Sequence, residues 1–293
     1  MASARHLNKD VSLRSATSRQ KHHQPLSHER GGLGATTTDF SPVNPGSAGD
    51  SDASRQYEKE RLIITLGEQF YQNVMVLAVQ AARSTNEASF KDIVDGICKD
   101  TTNYISKEAQ ITAFALLMYH YGLDDVNNAE NSARLCASLA HLEVNGTKFR
   151  SPLLKELEKD FTTRASWKGT DPNRWLAFCC YLCSLFRYLK IGGEFITLLI
   201  EPVFTCLESI LSDSDASDEE IKCACNQLKE LGSILDGLQQ SQMEVLLKVI
   251  KEKLLGSQTS HFSRLLLLEL VELRAGGWRL NDTQRQYYSE VFC

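Results

Sequence analysis

Nine cysteines are the most reactive side chains in this 293-residue sequence, and Cys179, Cys180 and Cys183 fall within one short stretch. Thiolates so grouped could hold zinc. A structural zinc site takes four ligands, often as separated pairs, and no histidine stands near the cluster in sequence. Cys223 and Cys225 are separated by one residue, so on a helix they point to different faces. Core packing is the better reading, because free cysteine is among the most frequently buried residue types.

Catalysis has as little to stand on. His120, His141 and His261 are the histidines after residue 56, and none sits in His-Glu-x-x-His or Gly-x-Ser-x-Gly. Gly31-Gly-Leu-Gly34 follows no strand pattern, which excludes a phosphate cradle. The acidic run Asp213–Glu220 lacks the mid-loop glycine of a calcium loop. It reads as a solvated turn leading into a helix N-terminus, where negative charge suits the dipole; Ser217 within it is a phosphorylation candidate. No catalytic residue, metal or cofactor is expected, and the chain is read as not an enzyme.

Composition breaks at about residue 56. Residues 1–56 hold nine Ser, five Gly, three of the six Pro, and only seven residues from Leu, Val and Phe. Such a stretch cannot bury enough apolar surface to offset its ordering entropy, so a disordered tail is expected. From Tyr57 onward a helical body is expected, containing all the cysteines and nearly all the large apolar side chains. The tail carries seven Lys/Arg and five Asp/Glu; the body carries 25 and 32. An acidic body favours protein partners over general phosphate binding. Lys148, Arg150, Lys155, Arg164 and Lys168 are the candidate basic groove for RNA, against the plainer reading of solvated helix faces. No run approaches the roughly 20 apolar residues of a membrane helix. The polar N-terminus lacks a secretory h-region, so the expected location is the cytoplasm, with the nucleus open to it.

The elements that must position these residues follow a helical period. Ile63, Leu66, Phe70, Val74, Leu77 and Ala81 lie on one face of a helix. Helices are expected at 57–83, 89–103, 107–121, 128–142, 150–166, 172–190, 195–211, 218–237, 242–255 and 261–275, with Pro202 kinking or splitting the seventh. Ser217–Glu220 and Ser241–Glu244 read as capping boxes, and Asp171-Pro172 as an N-cap before a first-turn proline. Gly122, Gly192, Gly256 and Gly276 read as left-handed helix ends. No strand is expected; Asn145-Gly146 simply separates two helical patterns. The segment 172–190 is apolar on nearly every face and must be covered all round. Five antiparallel helix pairs satisfy that as an all-α HEAT-like solenoid, which has about 40–47 residues per repeat.

The stretch Arg264-Leu-Leu-Leu-Leu-Glu-Leu-Val-Glu-Leu-Arg274-Ala-Gly-Gly-Trp278 resembles the end of the middle domain of eukaryotic translation initiation factor 4-gamma, where an apolar helix closes with Leu-Arg-x-x-x-Trp. Ala133–Cys136, Phe149-Arg150 with Leu153-Leu154, and Glu201–Leu207 are similar to the same family. Tyr287-Tyr288 resembles its small adaptor members, among them the stem-loop-binding-protein-interacting and cap-binding-complex-dependent groups; the poly(A)-binding-protein-interacting group is a further small adaptor that the chain resembles. The resemblance spans roughly 60–290. It implies a non-catalytic translation adaptor, with Arg274, Trp278, Tyr287 and Tyr288 as partner contacts. Packing is the competing role for them: Arg274 suits a helix C-terminus, and Trp278 could cover the last repeat.

In the tail, Leu33-Gly-Ala-Thr-Thr-Thr-Asp39-Phe40-Ser-Pro42 is similar to the short peptide that binds the C-terminal domain of poly(A)-binding protein. Leu33, Asp39, Phe40 and Pro42 fit its spacing; Gly34 and Thr37 stand where Asn and Ala are usual. Leu33 and Phe40 would each fill a pocket, worth roughly 1.5–3 kcal/mol before ordering costs. The expected partners are translation initiation factors or a DEAD-box helicase, an mRNA-end-binding protein and poly(A)-binding protein, with RNA reached through them. Direct RNA binding by a helical-repeat protein is the alternative. Homodimerisation is compatible with exposed end repeats.

Overall fold

The computed structural model describes residues 48–84 and 86–292. The helix expected over 57–83 is two, α1 (Ala48–Leu66) and α2 (Glu68–Arg83), meeting at a bend of 105°. Gly67 makes the break. Its φ is +105°, a conformation L side chains rarely adopt, and a Cβ there would overlap the Tyr104 hydroxyl. The apolar period still does its work on either side: Leu66, Phe70, Val74 and Ala81 are buried. Phe70 stacks on Tyr104 at 4.8 Å and meets the edge of Phe114 at 5.7 Å.

The following elements are α3 (Glu87–Tyr104), α4 (Glu108–Asp124), α5 (Val126–Leu139), α6 (Arg150–Thr163), a short α7 (Trp167–Thr170) and α8 (Pro172–Tyr188). Then come α9 (Ile200–Leu211), α10 (Asp218–Leu238), α11 (Gln240–Leu255), α12 (His261–Ala275) and α13 (Asp282–Phe292). Five successive pairs emerge: α2/α3, α4/α5, α6/α8, α9/α10 and α11/α12. One layer runs α3, α5, α8, α10, α12, each packed on the next. In the other, α4 packs on α1 and α6, and α9 packs on α11. This is the expected HEAT-like solenoid. Helix α8 is its centre, covered by α4 and α5 on one side and α9 and α10 on the other. That cover buries Trp175, Phe178, Leu182 and Phe186 together with Cys179, Cys180 and Cys183.

Several ends form as the local chemistry requires. The Ser217 hydroxyl accepts from the Glu220 amide (3.2 Å), and the Glu220 carboxylate accepts from the Ser217 amide (2.8 Å). Asp171 caps α8 through the Arg174 amide (3.2 Å), with Pro172 in the first turn. Ser241 makes no such box. Helix α11 has already begun at Gln240, so Ser241 lies inside its first turn. Pro202 does not kink a long helix either. A 3-10 turn, Thr197–Leu199, comes first, and Pro202 falls in the first turn of α9, where an amide partner is not needed.

The glycine reading needs correction. Gly122 lies inside α4, close against Tyr181. Gly256 has a φ of −62° and Gly276 one of −83°. Gly192 turns a hairpin. Two antiparallel ladders occur among the described residues: Glu143–Val144 with Thr147–Lys148 (β1, β2), and Lys190–Ile191 with Glu194–Phe195 (β3, β4). Their turns, Asn145-Gly146 and Gly192-Gly193, have positive φ at both positions, the mark of a tight two-residue hairpin. Each strand has two residues, too few to show a period of two in sequence. No single described helix is long and apolar enough to cross a membrane.

Candidate partner-binding site

The end of α12 carries a polar cluster that joins it to α10 and α11. Leu266, Leu267 and Leu270 bury one face of α12 against α10 and α11. The helix then closes through Gly277 and Trp278, with φ of +67° and +63°; the Trp278 amide returns to the Leu273 carbonyl at 2.8 Å. This turn lays the Trp278 ring over Gly232 of α10, where any Cβ would overlap the indole. The indole N–H donates to Asp236 Oδ2 (3.0 Å). Arg274 donates Nε to Oδ2 and Nη2 to Oδ1 of the same carboxylate, both at 3.1 Å, and Nη2 also to Glu244 (2.6 Å). Burial alone would raise the Asp236 carboxyl, but hydrogen bonds from Arg274 and Trp278, with the Arg274 charge, outweigh it and hold the carboxyl below its ordinary value.

Arg274 and Trp278 are thus brought together and packed onto α10, the packing role weighed for them from sequence. Helix α13 is tied to α12 by Gln284 donating to Glu272 (3.0 Å). Tyr288 is buried at 3% exposure, edge-on to Tyr287 (5.1 Å) and stacked on Phe292 (6.1 Å). Tyr287, half-exposed, presents the free aromatic surface of the four C-terminal candidates. Sequence reading missed Asp236 and Gly232, and assigned Glu244 to a capping box rather than to Arg274. The available signal was Gly232 in a leucine-rich helix face, one turn before Asp236.

The basic candidates are differently occupied. Lys148 pairs with Glu143 (3.6 Å), across the β1–β2 ladder. Arg164 donates to the Phe161 carbonyl and covers the Phe161 ring at 3.6 Å. Lys168 pairs with Asp213 and, at 3.8 Å, with Glu220. Arg150 makes one long bond to the Ala140 carbonyl (3.4 Å). Lys155 is exposed on α6. The tail residues Leu33, Asp39, Phe40 and Pro42 lie outside the described residues.

Most of the described cysteines are core, with Cys98 and Cys223 partly buried against it. Cys136, Cys179, Cys183, Cys206 and Cys225 are buried, and burial pushes the Cys136 and Cys225 thiols up to about 12. Among the described residues, no three His, Cys, Asp or Glu side chains converge as metal ligands would. A second buried network went unnoticed in sequence. Asp160 accepts from Tyr119 (2.9 Å) and from Arg174 (3.2 Å), and Arg174 lies over the Trp167 ring at 4.6 Å. His120 lies beside this network. Burial, then the Arg174 charge, lowers its imidazole below the ordinary value.

Residues 82–276 match the family model of the MIF4G domain. A CBP80/20-dependent translation initiation factor from Xenopus tropicalis is 33% identical over 194 residues, covering 66% of this chain and 33% of that protein. MIF4G domain-containing protein B from Danio rerio is 34% identical over 175 residues, 58% of this chain and 79% of the relative. MIF4G domain-containing protein A from the same fish is 30% identical over 191 residues, 63% and 88% respectively. The chain therefore spans a third of the first relative's length and most of the other two.

Proposed function

The chain belongs to the MIF4G domain family, and from that membership we propose that it is a non-catalytic translation adaptor, linking an mRNA-bound protein to the initiation machinery. The observation that carries this reading is that the matched span falls within the helical solenoid, and that a relative sharing it is a translation initiation factor by name. A repeat scaffold suits the role, because stacked helix pairs offer extended surfaces without needing a catalytic cleft. The partners proposed for the solenoid are initiation-factor subunits or a DEAD-box helicase, together with a protein bound at an mRNA end.

The division of labour follows composition. Residues 33–42 of the tail would tether poly(A)-binding protein while the solenoid holds its own partner. Two modest sites on one chain gain from effective concentration. The test is capture of translation factors by the full chain after RNase treatment, and by its Phe40→Ala variant. Capture should survive RNase, and the variant should lose poly(A)-binding protein alone. Capture abolished by RNase would favour direct RNA binding instead; retention of poly(A)-binding protein by Phe40→Ala would remove the tether.

A further inference from the structure

Between α6 and α9 lies an apolar groove of about 360 Å³. Leu157 of α6 and Leu182 of α8 line it at 3% and 1% exposure, and Phe161 and Pro202 line it from α6 and α9. Leu198, on the 3-10 turn before α9, is 84% exposed. The volume falls within the roughly 300–1,000 Å³ of clefts that accept ligand groups. A leucine left that open beside an apolar depression is an unpartnered hydrophobic surface, a mark of interaction sites.

One charge lines the groove. Glu158 lies between Leu157 and Phe161 on α6, is exposed, and takes part in no ion pair among the described residues. Of the cations near it in sequence, Lys159 pairs with Glu156 and Arg164 donates to the Phe161 carbonyl, while Lys155, one turn earlier on α6, is exposed and makes no ion pair with Glu158 among the described residues. The whole chain carries −5. We propose that this groove docks a short amphipathic segment of another protein, presenting two or three large apolar side chains to the Leu157–Leu182 floor and one Lys or Arg to Glu158. Helix-in-groove recognition uses this combination of apolar anchors and a rim charge. A nucleic acid would gain nothing from the apolar floor and would be repelled by Glu158.

The inference rests on the groove and not on the translation reading. Loss of translation-factor capture with peptide binding intact would remove that reading and leave this one standing. The test pans phage-displayed random short peptides against the full chain, then measures enriched peptides by fluorescence anisotropy on the wild type, Leu198→Asp and Glu158→Lys. Both side chains are exposed, so both variants should melt as the wild type does. Enriched peptides should pair Leu, Ile or Phe with a basic residue and bind Leu198→Asp about tenfold more weakly or worse. Panning on Glu158→Lys should replace the basic residue with an acidic one. Enriched peptides that bind Leu198→Asp as well as the wild type, or no enrichment at all, would overturn the proposal. So would a concentration-dependent dimer dissolved by Leu198→Asp, which would give the groove to a second copy of this chain.

Discussion

Asp236 accepts the indole N–H of Trp278 at 3.0 Å, across 42 residues of chain. Since Arg274 grips the same carboxylate with two further bonds, the closing turn of α12 is fastened to the last turn of α10. A motif that resembles a binding signature from sequence therefore has a definite mechanical role within the fold.

The first prediction concerns the close approach that makes this contact fit. Gly232→Ala should push the indole off α10 and destabilise the protein by about 1–3 kcal/mol, the usual cost of overpacking a filled site. Trp278→Phe keeps most of the ring volume and loses the N–H, so it should cost about 1 kcal/mol. Urea unfolding followed by circular dichroism would order the two; equal stability in all three proteins would refute the lock.

The same carboxylate sets an acid limit. The Asp236 carboxyl is depressed in the folded state, so its contribution is complete above the unfolded value of about 3.9 and is lost as pH falls through the lower folded value. Asp236→Asn should therefore be less stable than the wild type at neutral pH, and the two should converge in strong acid. Parallel melting curves across that range would contradict the assignment.

His120 works in a higher window. Its imidazole is depressed by burial and by Arg174, against the opposing pull of Glu156, Asp160 and Glu58. The unfolded chain therefore takes up the proton first. Stability should be fullest above about pH 6.5 and decline as pH falls below it. His120→Gln should flatten the thermal-melting profile there, while leaving the acid behaviour of Asp236 unchanged.

Leu182→Asp tests the central position of α8. Leu182 is 1% exposed, and a carboxylate buried there should cost on the order of 4–5 kcal/mol or prevent folding. Unchanged cooperative melting would sink the view that α8 is covered on every side.

Charge reversal at Arg150 and Lys155 separates the adaptor from the RNA-binding alternative. For the adaptor, protein capture after RNase treatment should be unaffected by Arg150→Glu with Lys155→Glu. A binder of RNA through this stretch would instead show affinity falling steeply with salt and weakening in the double variant.

Much of the scaffold was legible because helical burial repeats every turn: the faces of α2, α8 and α10 follow directly from their leucine, valine and aromatic spacing. The departures come from single residues whose effect is not periodic. Gly67 splits one expected helix in two. The Ser241 pattern has the right letters, but the chain has already entered α11 before reaching it. The hairpins were invisible because two residues per strand carry no alternation, although Asn145-Gly146 and Gly192-Gly193 are turn formers. At the candidate site, Arg274 and Trp278 stood out as residue types, whereas Asp236 did not. Its importance comes from a contact across 42 positions, which no local pattern encodes. The Leu157–Leu182 groove is hidden for the same reason.

The two hairpins occupy equivalent places, one joining α5 to α6 and the other α8 to α9. Both are crossings from one layer back to the other, so they fall along the same edge of the stack. All four turn residues, Asn145, Gly146, Gly192 and Gly193, face solvent. That edge is a seam: segments can be lengthened, exchanged or fitted with a reporter at either turn while every core side chain stays where it is.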